Sequence, residues 1–272
     1  MGNADGGMST GPTRVESSSN PRLKLARSLS STRGVRKSGR FLLEGPRFVG
    51  DEAGRGTIDY IILSDGATDP ARAAAERVMR AGLPCISLPA GLFDEVSETA
   101  STQGLAAVCR LPDRTGQDLL EGSLILALDG VSDPGNVGTA IRSAAALGAS
   151  GVAVLKGSAC PFIPASARAS AGAVSSLPVV ERLEAEVFLT SAINAGWKVL
   201  AARSSARPAA PSDGGDGTVL VVGSEAHGIG DAAGRLAHEA VSIPIGDRVE
   251  SLNAAVSASI LLYVLRAGRS VP

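Results

Sequence analysis

One pattern, repeated between residues 123 and 266, constrains the fold of this chain more than any other feature. Apolar runs of strand length alternate with helical segments, and the polar or glycine residues come between them. Runs that are apolar throughout are typical of parallel strands that are buried on both faces of a sheet. The predicted strands are 123–130, 151–155, 198–202, 218–222 and 241–245, and the predicted helices are 136–147, 185–195 and 252–266. The alternation predicts an α/β fold in which a mostly parallel sheet carries helices on both faces.

A smaller α/β unit is predicted before this sheet. Its predicted strands are 40–44, 59–63, 84–88 and 105–109, and its predicted helices are 20–33 and 70–81. Residues 1–19 are rich in glycine and serine and offer little apolar surface to bury, so we expect a disordered tail. The expected organisation is a tail (1–19), a small α/β domain (20–110), a polar linker (111–122) and a main domain (123–272).

The composition excludes several classes of protein. No uncharged apolar run reaches the ~18 residues of a membrane-spanning helix, and the N-terminal residues lack the pattern of a signal segment. We therefore expect a cytoplasmic protein without membrane contact. Cys85, Cys109 and Cys160 are widely spaced and the chain has only two histidines, so we expect neither a disulfide framework nor a bound metal.

A basic segment lies near the N-terminus, although the formal net charge of the chain is −1. Between residues 14 and 47 there are nine basic side chains and two acidic ones. Such an excess can neutralise several phosphates and indicates a nucleic-acid contact surface, although a solvated arm accounts for it equally well. The candidate RNA-binding residues are Arg22, Lys24, Arg27, Arg33, Arg36, Lys37, Arg40 and Arg47.

The first polar loop of the main domain, DGVSDPGNVGTAIRSAAALG, runs from Asp129 to Gly148. A predicted strand leads into a Pro-Gly turn, and Asn136 and Gly138 follow in the first turn of a helix. Arg142 lies about 120° around this helix from Asn136, so the two side chains do not share a face. Both can still meet a ligand beside the first turn, or Arg142 can reach a partner subunit. A capping asparagine with a solvent-facing arginine is the alternative.

Two more polar loops follow predicted strands. In VLVVGSEAHGIG, four apolar residues lead to Gly223 and Glu225, a pattern that suits close approach of a ligand without being a dinucleotide fingerprint. In SIPIGDRVESLN, Ser251 is expected to cap a helix whose first turn holds Leu252 and Asn253. A helix N-terminus offers free N–H groups to an anion such as phosphate.

Together the three loops resemble the three motifs of the SpoU/TrmH family of RNA 2′-O-methyltransferases, in order and in spacing. Asn-x-Gly-x-x-x-Arg stands at 136–142, Gly-Ser-Glu at 223–225, and Ile-Pro-Ile and Ser-Leu-Asn at 243–245 and 251–253. RASAGA (168–173) and LPVV (177–180) also resemble family members. Two small departures are Ile245, where many members have methionine, and the Ala-Ala-Val-Ser that follows Asn253.

The resemblance implies a fold, a cofactor and a set of site residues. It implies that the main domain threads through a deep trefoil knot and that the knot forms a pocket for S-adenosylmethionine. The string FLLEGPR at 41–47 resembles, less specifically, the ribosomal-protein-like RNA-binding domain that many members carry before the knot. The residues that match cofactor-binding positions are Gly223, Ile243 and Leu252. The residues that match the catalytic positions are Asn136, Arg142, Glu225, Ser251 and Asn253.

The resemblance also suggests what the catalytic residues do. Arg142 would hold the phosphate beside the reacting 2′-hydroxyl and help to lower its pKa, and the partner subunit is one possible source of this side chain. Asn136, Ser251 and Asn253 would orient the ribose, and Glu225 would brace its loop or bind Asn136. A homodimer is expected, with the helix 252–266 as the candidate interface.

The predicted function is methyl transfer from S-adenosylmethionine to a ribose 2′-hydroxyl of RNA. Large-subunit ribosomal RNA is the expected substrate because of the additional N-terminal domain, and antibiotic self-resistance and housekeeping modification both stay open. The alternatives are a transfer RNA ribose methyltransferase and a catalytically inactive RNA-binding protein of the same fold. A nucleotide-linked oxidoreductase is disfavoured because the G-x-G-x-x-G fingerprint is missing.

Overall fold

The computed structural model describes residues 11–99, 102–215 and 217–266. The chain divides into two compact units, Met1–Pro112 (unit 1) and Asp113–Pro272 (unit 2). Within the described ranges, no helix has the length and apolar character needed to cross a membrane.

Unit 1 is built on a mixed sheet with the strand order β1-β4-β3-β5-β2. In this sheet β3 pairs in parallel with β4 and antiparallel with β5. Helix α4 lies on the sheet through a stripe of small buried side chains, including Ala71, Ala74 and Val78. The strands are β1 (Thr13–Arg14), β2 (Arg40–Glu44), β3 (Ile58–Ser64), β4 (Cys85–Leu88) and β5 (Leu105–Arg110). The helices are α1 (Pro21–Ser28), α2 (Thr32–Ser38), α3 (Pro46–Ala53), α4 (Asp69–Arg80) and α5 (Ala90–Asp94).

Two predictions for unit 1 are wrong. The predicted helix 20–33 is two helices, because the Ser31 side chain accepts the N–H of Gly34 (3.1 Å) and starts α2 after a break. The predicted disordered tail 1–19 is wrong for residues 11–19, because β1 pairs in parallel with β4 and Val15 is buried. Residues 1–10 lie outside the described residues. Helices α3 and α5 were not predicted.

Unit 2 is built on a six-stranded sheet with the order β11-β9-β10-β6-β7-β8, in which all neighbours pair in parallel. The strands are β6 (Leu124–Asp129), β7 (Gly151–Leu155), β8 (Val179–Leu183), β9 (Lys198–Pro208), β10 (Thr218–Gly223) and β11 (Glu239–Ser242). The helices are α6 (Gly116–Leu119), α7 (Pro134–Ala146), α8 (Pro164–Ala169), α9 (Ala173–Ser176), α10 (Ala185–Asn194), α11 (Asp231–Leu236) and α12 (Ala254–Arg266), with a 3-10 turn at Pro211–Asp213.

Both faces of this sheet are covered. Ile125 and Ala127 of β6 belong to a core that includes side chains of α6, α10 and α11. Leu126 and Leu128 alternate with them and are also fully buried, so they face the side where α7 and α12 contact each other and the sheet. The predicted α/β architecture, with a parallel sheet and helices on both faces, is confirmed.

Three details of unit 2 differ from the prediction. The expected linker 111–122 contains α6, whose Leu119 is buried in the core of unit 2. The strand predicted at 241–245 ends at Ser242, because its pairing partner β9 ends at Pro208. The helix predicted at 252–266 begins at Ala254, and β8 was not predicted as a strand.

Candidate active site

A cavity of about 580 Å³ opens in unit 2 where β9, β10 and β11 give way to loops. Its volume lies in the usual range for sites that bind an organic cofactor. The predicted cofactor-binding residues Gly223, Ile243 and Leu252 all line it, and so do the predicted catalytic residues Glu225 and Ser251. The other lining residues include 202–205, Ser224, 227–229, Ile245, Glu250, Ser257 and Leu261.

A bulge in β9 forms one wall of the cavity. Strand β11 pairs with Leu200 and Ala201 and then, after a shift of register, with Arg207 and Pro208. Residues 202–206 therefore leave the pairing, and 202–205 line the cavity. The strand predicted at 198–202 ends where the bulge begins, so residues 203–205 were not predicted as part of the site. One feature of the sequence could have indicated them: they directly follow a buried strand, and ligands bind at the carboxyl ends of the strands in such sheets.

An ion-pair cluster fixes the far end of this bulge. Arg207 donates to Asp213 at 2.8 and 2.6 Å and also pairs with Glu239, which Lys198 contacts at 2.8 Å. The Arg207 guanidinium lowers the pKa of the buried Asp213 carboxyl to about 2. Hydrogen bonds from Lys198 and Arg207 likewise lower the pKa of Glu239.

The loop after β10 folds tightly back on itself. Ser224 and Gly228 exchange two backbone hydrogen bonds of 3.0 and 2.9 Å. A Cβ at Gly223 would lie 2.0 Å from the carbonyl carbon of Gly228, so only glycine fits there. The buried Asp129 at the end of β6 accepts the N–H of Gly230 at 2.7 Å and anchors the end of the loop. Sequence analysis gave Asp129 no role in the site.

Three of the predicted catalytic residues form one hydrogen-bonded network beside the cavity. Asn253 Nδ2 donates to Asn136 Oδ1 at 2.9 Å, and Asn136 Nδ2 donates to Glu225 Oε1 at 2.9 Å. Glu225 Oε1 also accepts the backbone N–H of Ala254 at 2.9 Å. The predicted contact between Glu225 and Asn136 is therefore present. These bonds use one N–H of each asparagine amide. Within the described ranges the second N–H of each has no acceptor, so it can donate to a ligand.

Asn253, and not Ser251, caps α12. The Asn253 Oδ1 atom accepts the N–H groups of Ala255 (2.9 Å) and Val256 (3.2 Å), the pattern of an N-cap. The prediction that Ser251 caps this helix is wrong, because the helix begins three residues later than Ser251. Ser251 is exposed and lines the cavity instead.

Arg142 lies outside this network. It is exposed on α7, does not line the cavity, and no ion pair or hydrogen bond joins its guanidinium to another residue of the described ranges. Asn136 is held at the start of the same helix, where its N–H donates to the capping carboxylate of Asp133 at 2.7 Å. The structure therefore brings together Asn136, Glu225 and Asn253, and it leaves Arg142 facing solvent.

The predicted RNA-binding residues of unit 1 differ in how far their side chains are exposed. Arg27 pairs with Glu95, and Arg40 donates to Asp59 at 2.5 Å, so these two also hold unit 1 together. Arg22 lies 5.4 Å from the ring centre of Tyr60. The members with exposed side chains are Arg22, Lys24, Arg33, Arg36, Lys37 and Arg47.

Both units match known families. Residues 123–263 match the SpoU rRNA Methylase family, and residues 20–107 match the MRM3-like substrate binding domain. The chain is 31% identical over 256 residues to the 23S rRNA (guanosine(2553)-2′-O)-methyltransferase RlmP of Bacillus subtilis. That alignment covers 93% of this chain and 99% of the relative.

Solved structures of two methyltransferases are also similar to this chain. The AdoMet-bound rRNA methyltransferase from Sinorhizobium meliloti has a TM-score of 0.80 and 26% identity, covering 93% of this chain and 97% of its own. The SpoU methyltransferase AviRb from Streptomyces viridochromogenes, in complex with the cofactor AdoMet, has a TM-score of 0.77 and 25% identity, covering 91% and 98%.

Proposed function

This chain belongs to the SpoU rRNA methylase family, and we propose that it methylates a ribose 2′-hydroxyl of large-subunit ribosomal RNA. It is an S-adenosylmethionine-dependent RNA 2′-O-methyltransferase with the α/β knot fold of that family. The observation that carries the proposal is the network of Asn136, Glu225 and Asn253 beside a cofactor-sized cavity.

S-adenosylmethionine is the cofactor, and it supplies a methyl group on a sulfonium that already carries the activating positive charge. The cavity fits such a group, because apolar residues such as Leu252 and Leu261 line it together with the half-buried Gly223. We assign the backbone of Gly223, Ile243 and Leu252 to holding the adenosine and methionine parts of the cofactor.

The residues of this chain have to activate and orient the acceptor. A ribose 2′-hydroxyl is a weak nucleophile until a group removes or shares its proton. The second amide N–H groups of Asn136 and Asn253, with the hydroxyl of Ser251, orient the ribose against the cavity. Arg142 binds the neighbouring phosphate and lowers the pKa of the 2′-hydroxyl. Because arginine keeps its proton and its charge, phosphate binding is its main role and proton abstraction is secondary.

The role of Arg142 is tested by single-turnover methyl transfer. Arg142→Ala should lower the rate by about 10²- to 10⁴-fold, because the 2′-hydroxyl would lose both its fixed position and the help with its proton. Arg142→Lys, which keeps the charge and loses the forked geometry, should recover part of the loss. An Arg142→Ala rate equal to that of the wild type would remove Arg142 from the mechanism.

We also propose that the protein forms a homodimer through α12. Val256 (44% exposed), Ile260 (36%) and Tyr263 (64%) stand four and three residues apart, so they form one apolar stripe on the outer face of this helix. The other face of α12 packs on α7, where Ser259 and Ser143 are hydrogen-bonded at 2.7 Å. Because α12 packs on α7 and Arg142 of α7 faces solvent, we propose that a partner chain seated on the stripe receives this side chain at its own site.

Light scattering tests the dimer. Val256→Asp should give monomers that lose methyl transfer, because a charge within the stripe opposes its burial. Val187→Asp is the matched control, because Val187 is 64% exposed on α10, away from the stripe. Full activity of a Val256→Asp monomer would refute an arginine supplied in trans.

We propose that unit 1 binds the RNA substrate through the exposed basic side chains of α1 and α2. The match to a substrate-binding domain over 20–107 and the basic excess of residues 14–47 support this role. We also propose that this domain spans residues 20–110. We further propose that the enzyme acts in the cytoplasm, which a ribosomal RNA substrate favours.

Transfer of labelled methyl groups to protein-free large-subunit ribosomal RNA, with transfer RNA in parallel, tests the substrate. Label at an alkali-resistant linkage of the ribosomal RNA would support the proposal and give the site. Label only in transfer RNA would overturn the substrate and keep the chemistry, and label in neither RNA would favour a catalytically inactive RNA-binding protein.

A further inference from the structure

The loop between β11 and α12 places a carboxylate at the cavity wall that the mechanism above does not use. Glu250 is exposed and lines the cavity next to Ser251 and Leu252. Within the part of the chain that the structure describes, its carboxylate receives no hydrogen bond and makes no ion pair. Glu225, the other carboxylate of the wall, already accepts two N–H groups on Oε1. Of the two carboxylates, Glu250 is therefore the one that receives no hydrogen bond within the described residues.

The ligands of this cavity differ in charge as well as in shape. The methyl donor carries a positive sulfonium, and the product that remains after transfer carries a neutral thioether in the same place. Contacts to the adenosine or to the amino-acid part bind both ligands equally and cannot separate them. A charge at the wall can separate them, because the two ligands differ in charge only at the sulfur, where the donor is positive and the product is neutral.

We propose that Glu250 is a specificity-determining residue that makes the cavity prefer the charged methyl donor over the neutral product. The proposal rests on the proposed function, since it requires the cavity to hold S-adenosylmethionine. Arg203, on the β9 bulge, also lines the cavity and opposes this attraction, so removal of the Glu250 carboxylate should abolish the preference. Its functional consequence is faster exchange of product for fresh cofactor after each transfer.

The size of the effect follows from the exposure of Glu250. Water and salt screen an exposed charge, so we expect a preference of roughly three- to tenfold, well below that of a buried ion pair. For the same reason the preference should shrink as the ionic strength rises, since the Debye length falls to about 3 Å at 1 M salt.

Calorimetric titration of the full chain with S-adenosylmethionine and with S-adenosylhomocysteine tests the proposal. Glu250→Gln keeps the size of the side chain and removes the charge. It should raise the Kd for S-adenosylmethionine roughly three- to tenfold and leave the Kd for S-adenosylhomocysteine unchanged. The matched control is Asp247→Asn, which removes a charge from the same loop at an exposed residue that does not line the cavity and should change neither Kd.

The outcomes separate this inference from the proposed function. Equal loss of affinity for both ligands would mean that Glu250 acts through shape, and no loss for either would mean that it does not act; both overturn the inference alone. A loss of the same size in Asp247→Asn would also overturn it, because the effect would then belong to the net charge of the loop. Failure of the wild-type chain to bind either ligand would overturn the proposed function as well.

Discussion

Removal of the Glu225 side chain should loosen the active site and weaken the fold at the same time. Glu225 Oε1 accepts the Nδ2 group of Asn136 and the backbone N–H of Ala254, each at 2.9 Å. A hydrogen bond to a charged group contributes ~1.5–3 kcal/mol, and the exposure of Glu225 places both bonds at or below the lower end of this range. The carboxylate also stands at the N-terminus of α12, where negative charge is favourable. We expect Glu225→Ala to lower the unfolding free energy of unit 2 by about 2 kcal/mol.

The effect on catalysis should be larger than the effect on stability. Without Glu225, the Asn136 Nδ2 group loses its acceptor, and only the hydrogen bond from Asn253 still fixes which way the Asn136 amide points. A displacement of about 1 Å in a positioning residue can cost about 10²-fold in rate, and we expect a loss of that size in single-turnover methyl transfer. Glu225→Gln keeps an acceptor oxygen and should retain most of the stability and more of the rate.

Trp197 provides the assay for stability. It is the only tryptophan of the chain and is buried in the core of unit 2, so its fluorescence in a urea titration reports the unfolding of that unit. A double-mutant cycle with Asn136→Ala should give a coupling energy of about 1 kcal/mol, since the two side chains are in contact. The reasoning would be refuted by a coupling energy of zero together with a Glu225→Ala rate close to that of the wild type.

Three further variants test other parts of unit 2. Gly138→Ala would place a Cβ 2.2 Å from the carbonyl oxygen of Ser166; this should lower the unfolding free energy by about 2 kcal/mol in the same titration, whereas Thr139→Ala on the exposed face of α7 should change it by less than about 0.5 kcal/mol. The lowered pKa of Asp213 gives stability that is present above the unfolded-state pKa of about 4 and is lost as the pH falls to about 2. Asp213→Asn should therefore cost about 1 kcal/mol at pH 7, after allowance for solvent screening, and only a small part of that near pH 2, in urea titrations at both pH values. Ser251→Ala should leave the stability within about 0.5 kcal/mol and lower the methyl-transfer rate, because Ser251 does not cap α12.

Local sequence patterns predicted the limits of those elements that are bounded by turn residues. The strand at 151–155 was predicted as it is found, because a fully apolar run between turn residues leaves little freedom. The helix at 185–194 was predicted within a residue, since Gly196 stops it with a positive φ. The predicted contact between Glu225 and Asn136 came from the resemblance of the motifs and not from periodicity.

Features that depend on pairing between distant segments were missed. The bulge at 202–206 exists because β11 resumes its pairing with β9 at Arg207, and nothing within β9 itself indicates that shift. Ser251 and Asn253 are both favourable N-caps, so local sequence cannot choose between them. In the structure, Asn136 determines which residue caps the helix. Asn136 Oδ1 accepts a hydrogen bond from Asn253 Nδ2, and this orients Asn253 Oδ1 towards the first N–H groups of α12.

The network also determines which amide groups of Asn136 and Asn253 can bind the substrate. A carboxylate can only accept, so Glu225 forces Asn136 to present Nδ2 to it and Oδ1 to Asn253. Asn253 must then donate to Asn136, and its Oδ1 is free to cap α12. Partners that are 89 and 117 residues apart are thereby joined to the start of one helix. Loss of any of these three side chains should therefore lower stability and activity together, whereas loss of Arg142, which is outside the network, should lower activity alone. That contrast separates residues that build the site from one that acts only on the RNA.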